Sequence, residues 1–294
     1  MTDPTIDRLL VEAGLDPADI RDLVRRALAE DLDGGVDVTT VATVPLGQRS
    51  VLDLVARQPG VVAGVPVAAA VFDEVCGDRC AITLARSDGD AVVRDDVVIS
   101  VAGPTHDLLR AERPALNLLG HLSGIATATH AWVDAISGTG AHVRDTRKTT
   151  PGLRKLEKYA VRCGGGMNHR MSLSDAALVK DNHVVAAGGV AAAFSAVRRE
   201  FPGVPVEVEV DSLDQLRDVL DAGADLVLLD NFTTAMMREA VAVNAGRARL
   251  EASGGLSIEV AREVAATGVD YLAVGALTHS APVLDIGADL RSEG

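Results

Sequence analysis

From Val206 onward the apolar positions of this chain repeat as one unit: a short apolar strand, a polar junction, then a segment with helical spacing. VEVEV (206–210) precedes SLDQLRDVLDAG, ADLVLLD (224–230) precedes TTAMMREAVAVNAG, and ARLEAS (248–253) precedes SIEVAREVAATG. VDYLAVG (269–275) closes the series. Strand starts spaced by roughly twenty residues leave room for a helical crossover each time, which predicts parallel strands with right-handed connections. Two earlier segments, GAHVRDTRK (140–148) and DAALVKDN (175–182), read as further strands, separated by the helix LRKLEKYAVR. The regularity predicts a barrel rather than an open sheet.

The first third is patterned differently. After a helical N-terminal region, RSVLDLVARQPGVVAGV, CAITLARSDGDAVV and DDVVISVAGP are short apolar segments broken by turn signals at Pro59-Gly60, Asp88-Gly89 and Gly103-Pro104. They predict a small mixed α/β domain. The helical stretch HDLLRAERPALNLLGHLSGIATATHAWVDAIS then leads into the barrel, so the boundary is expected close to Arg113. On this reading residues 1–113 form the small domain, 114–279 form the barrel, and the tail 280–294 is free to pack back on the small domain. EDLDGGVDVTT (30–40) reads as a loop rather than a phosphate cradle, because no strand precedes its glycines and no Lys follows them.

Composition narrows the function classes. The most apolar run, VVAGVPVAAAVF (61–72), is too short for a bilayer and is interrupted by Gly64 and Pro66. The N-terminus is acidic and helix-patterned, without the basic start and cleavage site of a signal peptide, so the cytoplasm is the expected compartment. Cys76, Cys80 and Cys163 are too few and too unevenly spaced for a disulfide framework, and CGDRC has no second Cys/His pair to complete a zinc site.

Charge is distributed unevenly. The chain carries 28 Lys/Arg against 42 Asp/Glu, yet residues 144–183 hold nine basic residues against four acidic ones. A cationic island in an acidic chain implies an anionic ligand. With 2% aromatics and a net charge of -14, the chain lacks the broad basic surface and stacking platform of a nucleic-acid binder. A small polyanion held in a pocket fits better.

In a β/α barrel the working residues stand at the C-terminal ends of the strands. That rule gathers Arg147 and Lys148, Lys180, Glu209 and Asp211, Asp230, Ser253-Gly254-Gly255, and Gly275 at one mouth. Any one of these charges alone could merely solvate a strand end; six strand ends supplying them together point to a site.

These residues carry a resemblance that extends over nearly the whole chain. EDLDGGVDVTT, ERPALNLLGHLSGIAT, DTRKTTPGLRKLEKYAV, GGGMNHRMSLSDAALVKDNH, VEVEV, LVLLDNF, LEASGGL and VGALTHSAP are similar to the quinolinate phosphoribosyltransferase family, and DTRKTTPG with KDNH downstream is its most specific signature here. The resemblance implies an α/β protein of the type II phosphoribosyltransferases: an incomplete, seven-stranded α/β barrel preceded by a small α+β sandwich-like domain, assembled as a homodimer with shared active sites. It implies decarboxylating transfer of phosphoribose from phosphoribosyl pyrophosphate (PRPP) to quinolinate, giving nicotinate mononucleotide, pyrophosphate and carbon dioxide.

The residue roles follow the same resemblance. Arg147, His169, Arg170 and Lys180 would line the quinolinate pocket, with Arg113 reaching in from the partner subunit. Lys148 would serve PRPP, on the argument that adjacent strand residues face opposite ways. Glu209 and Asp230 would engage the ribose hydroxyls and a Mg2+ ion, and Ser253, Gly254, Gly255, Gly275 and Ala276 the 5′-phosphate. Lys148, Glu209, Asp230 and Lys180 are thus the expected catalytic set. His169 either orients a carboxylate or is a satisfied structural histidine; His121, His130, His142 and His279 receive only a structural reading, and His183 is expected to support the Lys180 loop. Three rival readings stay in view: a phosphoribosyltransferase for another aromatic acid, a Schiff-base lyase using Lys180, and a non-catalytic ligand-binding relative.

Overall fold

The computed structural model describes residues 4–293 and divides into two compact units. The first comprises residues up to Ala128, Lys155–Gly165 and the segment from Ala281 onward; the second comprises Thr129–Arg154 and Gly166–Ser280.

The small unit is built on a four-stranded antiparallel sheet. Its strands are β1 (Arg49–Ala56), β3 (Ala81–Leu84), β5 (Val97–Pro104) and the C-terminal β12 (Ile286–Ser292), in the order β12-β1-β5-β3; the short β2 (Gly60–Val61) and β4 (Ala91–Val92) pair separately. The tail therefore packs back as a strand, in register from Ser50↔Ser292 to Ala56↔Ile286. From Val65 on, the apolar run that is too short for a membrane lies in the helix Val65–Cys76, almost wholly buried. Among the described residues, no helix is long and apolar enough to cross a membrane.

Two expectations about this unit change. The helix Thr105–Ala135 continues straight through Pro114, and the units part at 128/129 rather than at Arg113. The helix Arg154–Cys163, read as a barrel crossover, belongs from Lys155 onward with the small unit. Its side chains explain why: Lys155 Nζ donates to Asp19 at 2.5 Å, Tyr159 donates to the Asp88 carboxylate, and Glu157, fully buried, meets His121 at 2.9 Å.

The second unit holds the repeating pattern. Its strands β6 (His142–Arg144), β7 (Ala177–Val179), β8 (Val206–Val210), β9 (Leu226–Asp230), β10 (Arg249–Ser253) and β11 (Tyr271–Ala273) form one parallel sheet in the order β6-β11-β10-β9-β8-β7. All six segments read from the sequence are strands. The seventh strand implied by the resemblance is reduced to a single parallel bridge between Met167 and Arg144. Local signals set the helices between them: Ser212 and Thr233 cap two of the crossover helices through side-chain bonds to Gln215 N and Met236 N.

Candidate active site

The C-terminal ends of these parallel strands surround one cavity of about 840 Å³. Arg147, Lys148, His169, Arg170, Lys180, Glu209, Asp230, Ser253, Gly254, Gly255, Gly275 and Ala276 all line it, so every sequence-derived site residue but Arg113 and Asp211 converges there. Arg113 lies in the helix Thr105–Ala135, its side chain 62% exposed and only 3.9 Å from the neighbouring Glu112. Asp211 is exposed and does not line the cavity.

The cationic island disperses on folding. Of its nine basic residues, Arg144 is bound to Glu251 at 2.6 Å, Arg154 to Thr149 and the Met171 carbonyl, and Lys155, Lys158 and Arg162 stand in the small unit. Four reach the cavity: Arg147, Lys148, Arg170 and Lys180. Of these, Arg147, Lys148 and Arg170 make no ion pair among the described residues, whereas Lys180 Nζ contacts Glu209 Oε2 at 2.6 Å. Burial, then the charge of Arg147, hold the Arg170 guanidinium below its ordinary pKa. Two like charges held in one cavity with no ion-paired carboxylate are arranged for an anion that arrives from outside.

Arg147 and Lys148 divide by loop geometry rather than by strand alternation, since β6 ends at Arg144. The loop is pinned on both sides: Lys148 N donates to Thr146 Oγ1 at 3.0 Å, and the Lys148 carbonyl accepts from the buried Thr278 hydroxyl at 2.8 Å. Lys180 caps the helix Asp181–Ala187, and its N–H donates to His183 Nδ1 at 2.9 Å, which gives His183 its place beneath that residue.

Glu209, inside β8, and Asp230, the last residue of β9, bring two carboxylates to the same mouth. Burial, then the like charge of Glu209, push the Asp230 carboxyl above its usual range. Such a donor set, all hard oxygen and mutually repelling, fits a divalent cation of the magnesium type.

Two glycines shape the far side of the cavity. A Cβ on Gly254 (φ +96°) would stand 2.2 Å from Asn231 Oδ1, and one on Gly275 would stand 2.9 Å from Lys148 Cδ and 3.3 Å from His279 Nε2. At Gly254 only bare backbone fits, and at Gly275 a side chain would have to displace Lys148.

Several residues in or beneath the site lie within the matching stretches but take no catalytic role from the sequence. Thr146, Asp181, Asn231, Glu251 and His279 line the cavity. Fully buried Asp145 accepts from His169 N at 2.8 Å and Asn168 Nδ2 at 2.6 Å, fixing the segment that presents Arg170. His169 is itself buried, with Nε2 2.5 Å from Glu207 Oε2 and Nδ1 2.7 Å from Arg170 N. Its ring nitrogens face the protein rather than the cavity. Burial and the nearby Glu207 charge push the Glu251 carboxyl up to about 7. A sequence signal for this layer existed in the inward-facing alternation of VEVEV, which puts Glu207 on the same face as Glu209.

Comparison with known proteins agrees with this geometry. Residues 37–123 match the N-terminal domain of quinolinate phosphoribosyl transferase, and residues 125–289 match its C-terminal domain. The chain is 54% identical over 274 residues to a nicotinate-nucleotide pyrophosphorylase (carboxylating) of Mycobacterium leprae, covering 92% of this chain and 96% of that one. It is 37% identical over 294 residues to a mitochondrial quinolinate phosphoribosyltransferase (decarboxylating) of Nicotiana tabacum, covering 94% and 83%. The crystal structure of NadC from Streptococcus pyogenes superposes with a TM-score of 0.91 at 39% identity, over 95% of this chain and 99% of that one. On fold, site and sequence together, the chain belongs to the quinolinate phosphoribosyltransferase family.

Proposed function

We propose that this enzyme transfers phosphoribose from PRPP to quinolinate and decarboxylates the product, supplying nicotinate mononucleotide for NAD biosynthesis in the cytoplasm. The observation that carries the reading is the set of three unpaired cations, Arg147, Lys148 and Arg170, in one cavity with the carboxylates Glu209 and Asp230. Both substrates are polyanions, and the paired guanidiniums suit the two adjacent carboxylates of quinolinate.

The ring nitrogen of quinolinate attacks C1 of PRPP as pyrophosphate departs. The C2 carboxylate then leaves as carbon dioxide, its electron pair held on C2 beside the cationic ring nitrogen until a proton replaces it. Arg147 and Arg170 hold the dicarboxylate in line with C1, and Lys148 binds the diphosphate. Lys180 stands between the two substrates, and Glu209 and Asp230 hold the ribose hydroxyls and a Mg2+ ion. When bound, that ion neutralises charge on the departing diphosphate. Ser253, Gly254, Gly255, Gly275 and Ala276 receive the 5′-phosphate through backbone N–H groups, beside His279.

Lys180 is unsuited to Schiff-base chemistry in this state, because its amine is engaged by Glu209. Arg113, exposed and outside the cavity, completes the site by projecting into the pocket of a second copy in a homodimer. Production of nicotinate mononucleotide from quinolinate, PRPP and magnesium tests the assignment; an enzyme that consumes PRPP only with a different aromatic acid would overturn it.

A further inference from the structure

Beneath the cavity lies a layer of buried charge that the proposed reaction does not use. Glu207 on β8 and Glu251 on β10 are 3% and 0% exposed, and each has one carboxylate oxygen, Oε1, without a hydrogen-bond partner. A buried carboxylate left half satisfied is costly, so its other oxygen is where a purpose should be sought. For Glu251 that oxygen meets Arg144 at 2.6 Å. For Glu207 it meets His169 Nε2 at 2.5 Å.

The bond on the opposite side of the imidazole fixes its tautomer. Arg170 N lies 2.7 Å from His169 Nδ1, and a backbone N–H can only donate, so Nδ1 presents a lone pair. The ring proton therefore sits on Nε2 and is donated to Glu207. His169, Glu207 and Glu251 also form a three-donor group of the kind that binds metals, but Nε2 and Oε2 stand at hydrogen-bonding separation and Arg144 already serves Glu251. The group is a hydrogen-bond relay.

The far end of the relay is Arg170. Its guanidinium makes no ion pair among the described residues; Nη1 donates to the Ala176 carbonyl at 3.1 Å, and the charges of Arg147, Asp175 and Glu207 act on it. We infer that Glu207 is a positioning residue for Arg170: by accepting the His169 Nε2 proton it holds the imidazole in the tautomer whose Nδ1 anchors the Arg170 N–H, and so aims the guanidinium at its anion. This rests on the reading of Arg170 as a quinolinate ligand. What the relay needs at position 207 is an acceptor, whatever its charge.

Glutamine keeps an acceptor there and leucine does not, so Glu207→Gln and Glu207→Leu separate this role from that of a counter-charge. Glu207→Leu is expected to raise KM for quinolinate by about tenfold or more, the worth of one buried hydrogen bond to a charged group, and Glu207→Gln by less than about threefold. KM for PRPP should stay within about twofold in both, because Lys148 and the glycine loops lie outside the relay. Nitrogen-15 NMR of histidine-labelled enzyme, with the His169 signals identified by their loss in His169→Gln, should show a protonated Nε2 and a lone pair on Nδ1.

A protonated Nδ1, a glutamine variant as impaired as the leucine variant, or equal weakening of both substrates would overturn the inference. If the leucine variant does not fold, the glutamine variant and the NMR spectrum still decide it. An unmodified enzyme that ignores quinolinate would instead strike the functional reading, and the NMR spectrum would judge the relay by itself.

Discussion

Lys180 Nζ and Glu209 Oε2 lie 2.6 Å apart, an ion pair between two groups that the proposed reaction assigns to different ligands. The ammonium stands beside a carboxylate whose like charge disfavours the ionisation of Asp230. On the proposed function, magnesium held by both carboxylates would compete with Lys180 for Glu209 and leave the ammonium free for the substrates. The lysine side chain is 47% exposed, so the pair contributes little to stability. Lys180→Ala is therefore expected to lower kcat by about 100-fold, as for loss of one transition-state donor, while the melting temperature moves by no more than about 2 °C. A large drop in melting temperature would make the pair structural.

Selectivity for the dicarboxylate follows from Arg147 and Arg170, which line one cavity and make no ion pair among the described residues. Nicotinate lacks the 2-carboxylate and would leave positive charge uncompensated in a partly buried site, so its kcat/KM is expected to be at least about 100-fold below that of quinolinate. Arg170→Ala should weaken quinolinate binding by calorimetry and spare PRPP. Comparable turnover of nicotinate, or equal loss of both ligands in the variant, would contradict the division of the cavity.

Stability should carry a signature of Glu251. Its folded-state carboxyl is pushed up to about 7 from 4.5, so the contribution it makes is fully present at low pH and is lost as pH rises through the folded value. Glu251→Gln stays neutral throughout. The melting temperature of Glu251→Gln relative to the parent should therefore climb between about pH 5 and pH 8 and flatten outside that window. A difference that is constant with pH would mean that Glu251 is not perturbed.

Much of this was legible in the chain. Strand ends could be read because parallel barrel strands are largely apolar runs ending in polar residues, as at Leu229-Asp230. The layer beneath was harder. Glutamates such as Glu207 and Glu251 ordinarily mark solvent-facing positions, and only closure of strands around a polar interior turns them inward. The boundary expected near Arg113 falls inside the helix Thr105–Ala135, which runs through Pro114 and passes from one unit to the other at 128/129. His279 ends the short helix Ala276–His279 rather than a strand, so alternation gave it no role; the fold brings it beside Gly275.

Arg113 offers a test of shared sites. Arg113→Ala and Lys180→Ala are each expected to be nearly inactive alone. Mixing them through unfolding and refolding should return about a quarter of parental activity, since half of randomly paired two-fold dimers are hybrids with one intact site. No recovery, with hybrids demonstrated by differential tagging, would place the action of Arg113 within its own subunit or remove it from the site.

The most direct measurement follows quinolinate labelled with carbon-14 in its 2-carboxylate, incubated with PRPP and magnesium. Labelled carbon dioxide, nicotinate mononucleotide and pyrophosphate are expected in equal amounts, all dependent on PRPP and all abolished together in Lys148→Ala. Release of labelled carbon dioxide without PRPP, or a nucleotide product that retains the label, would contradict the account.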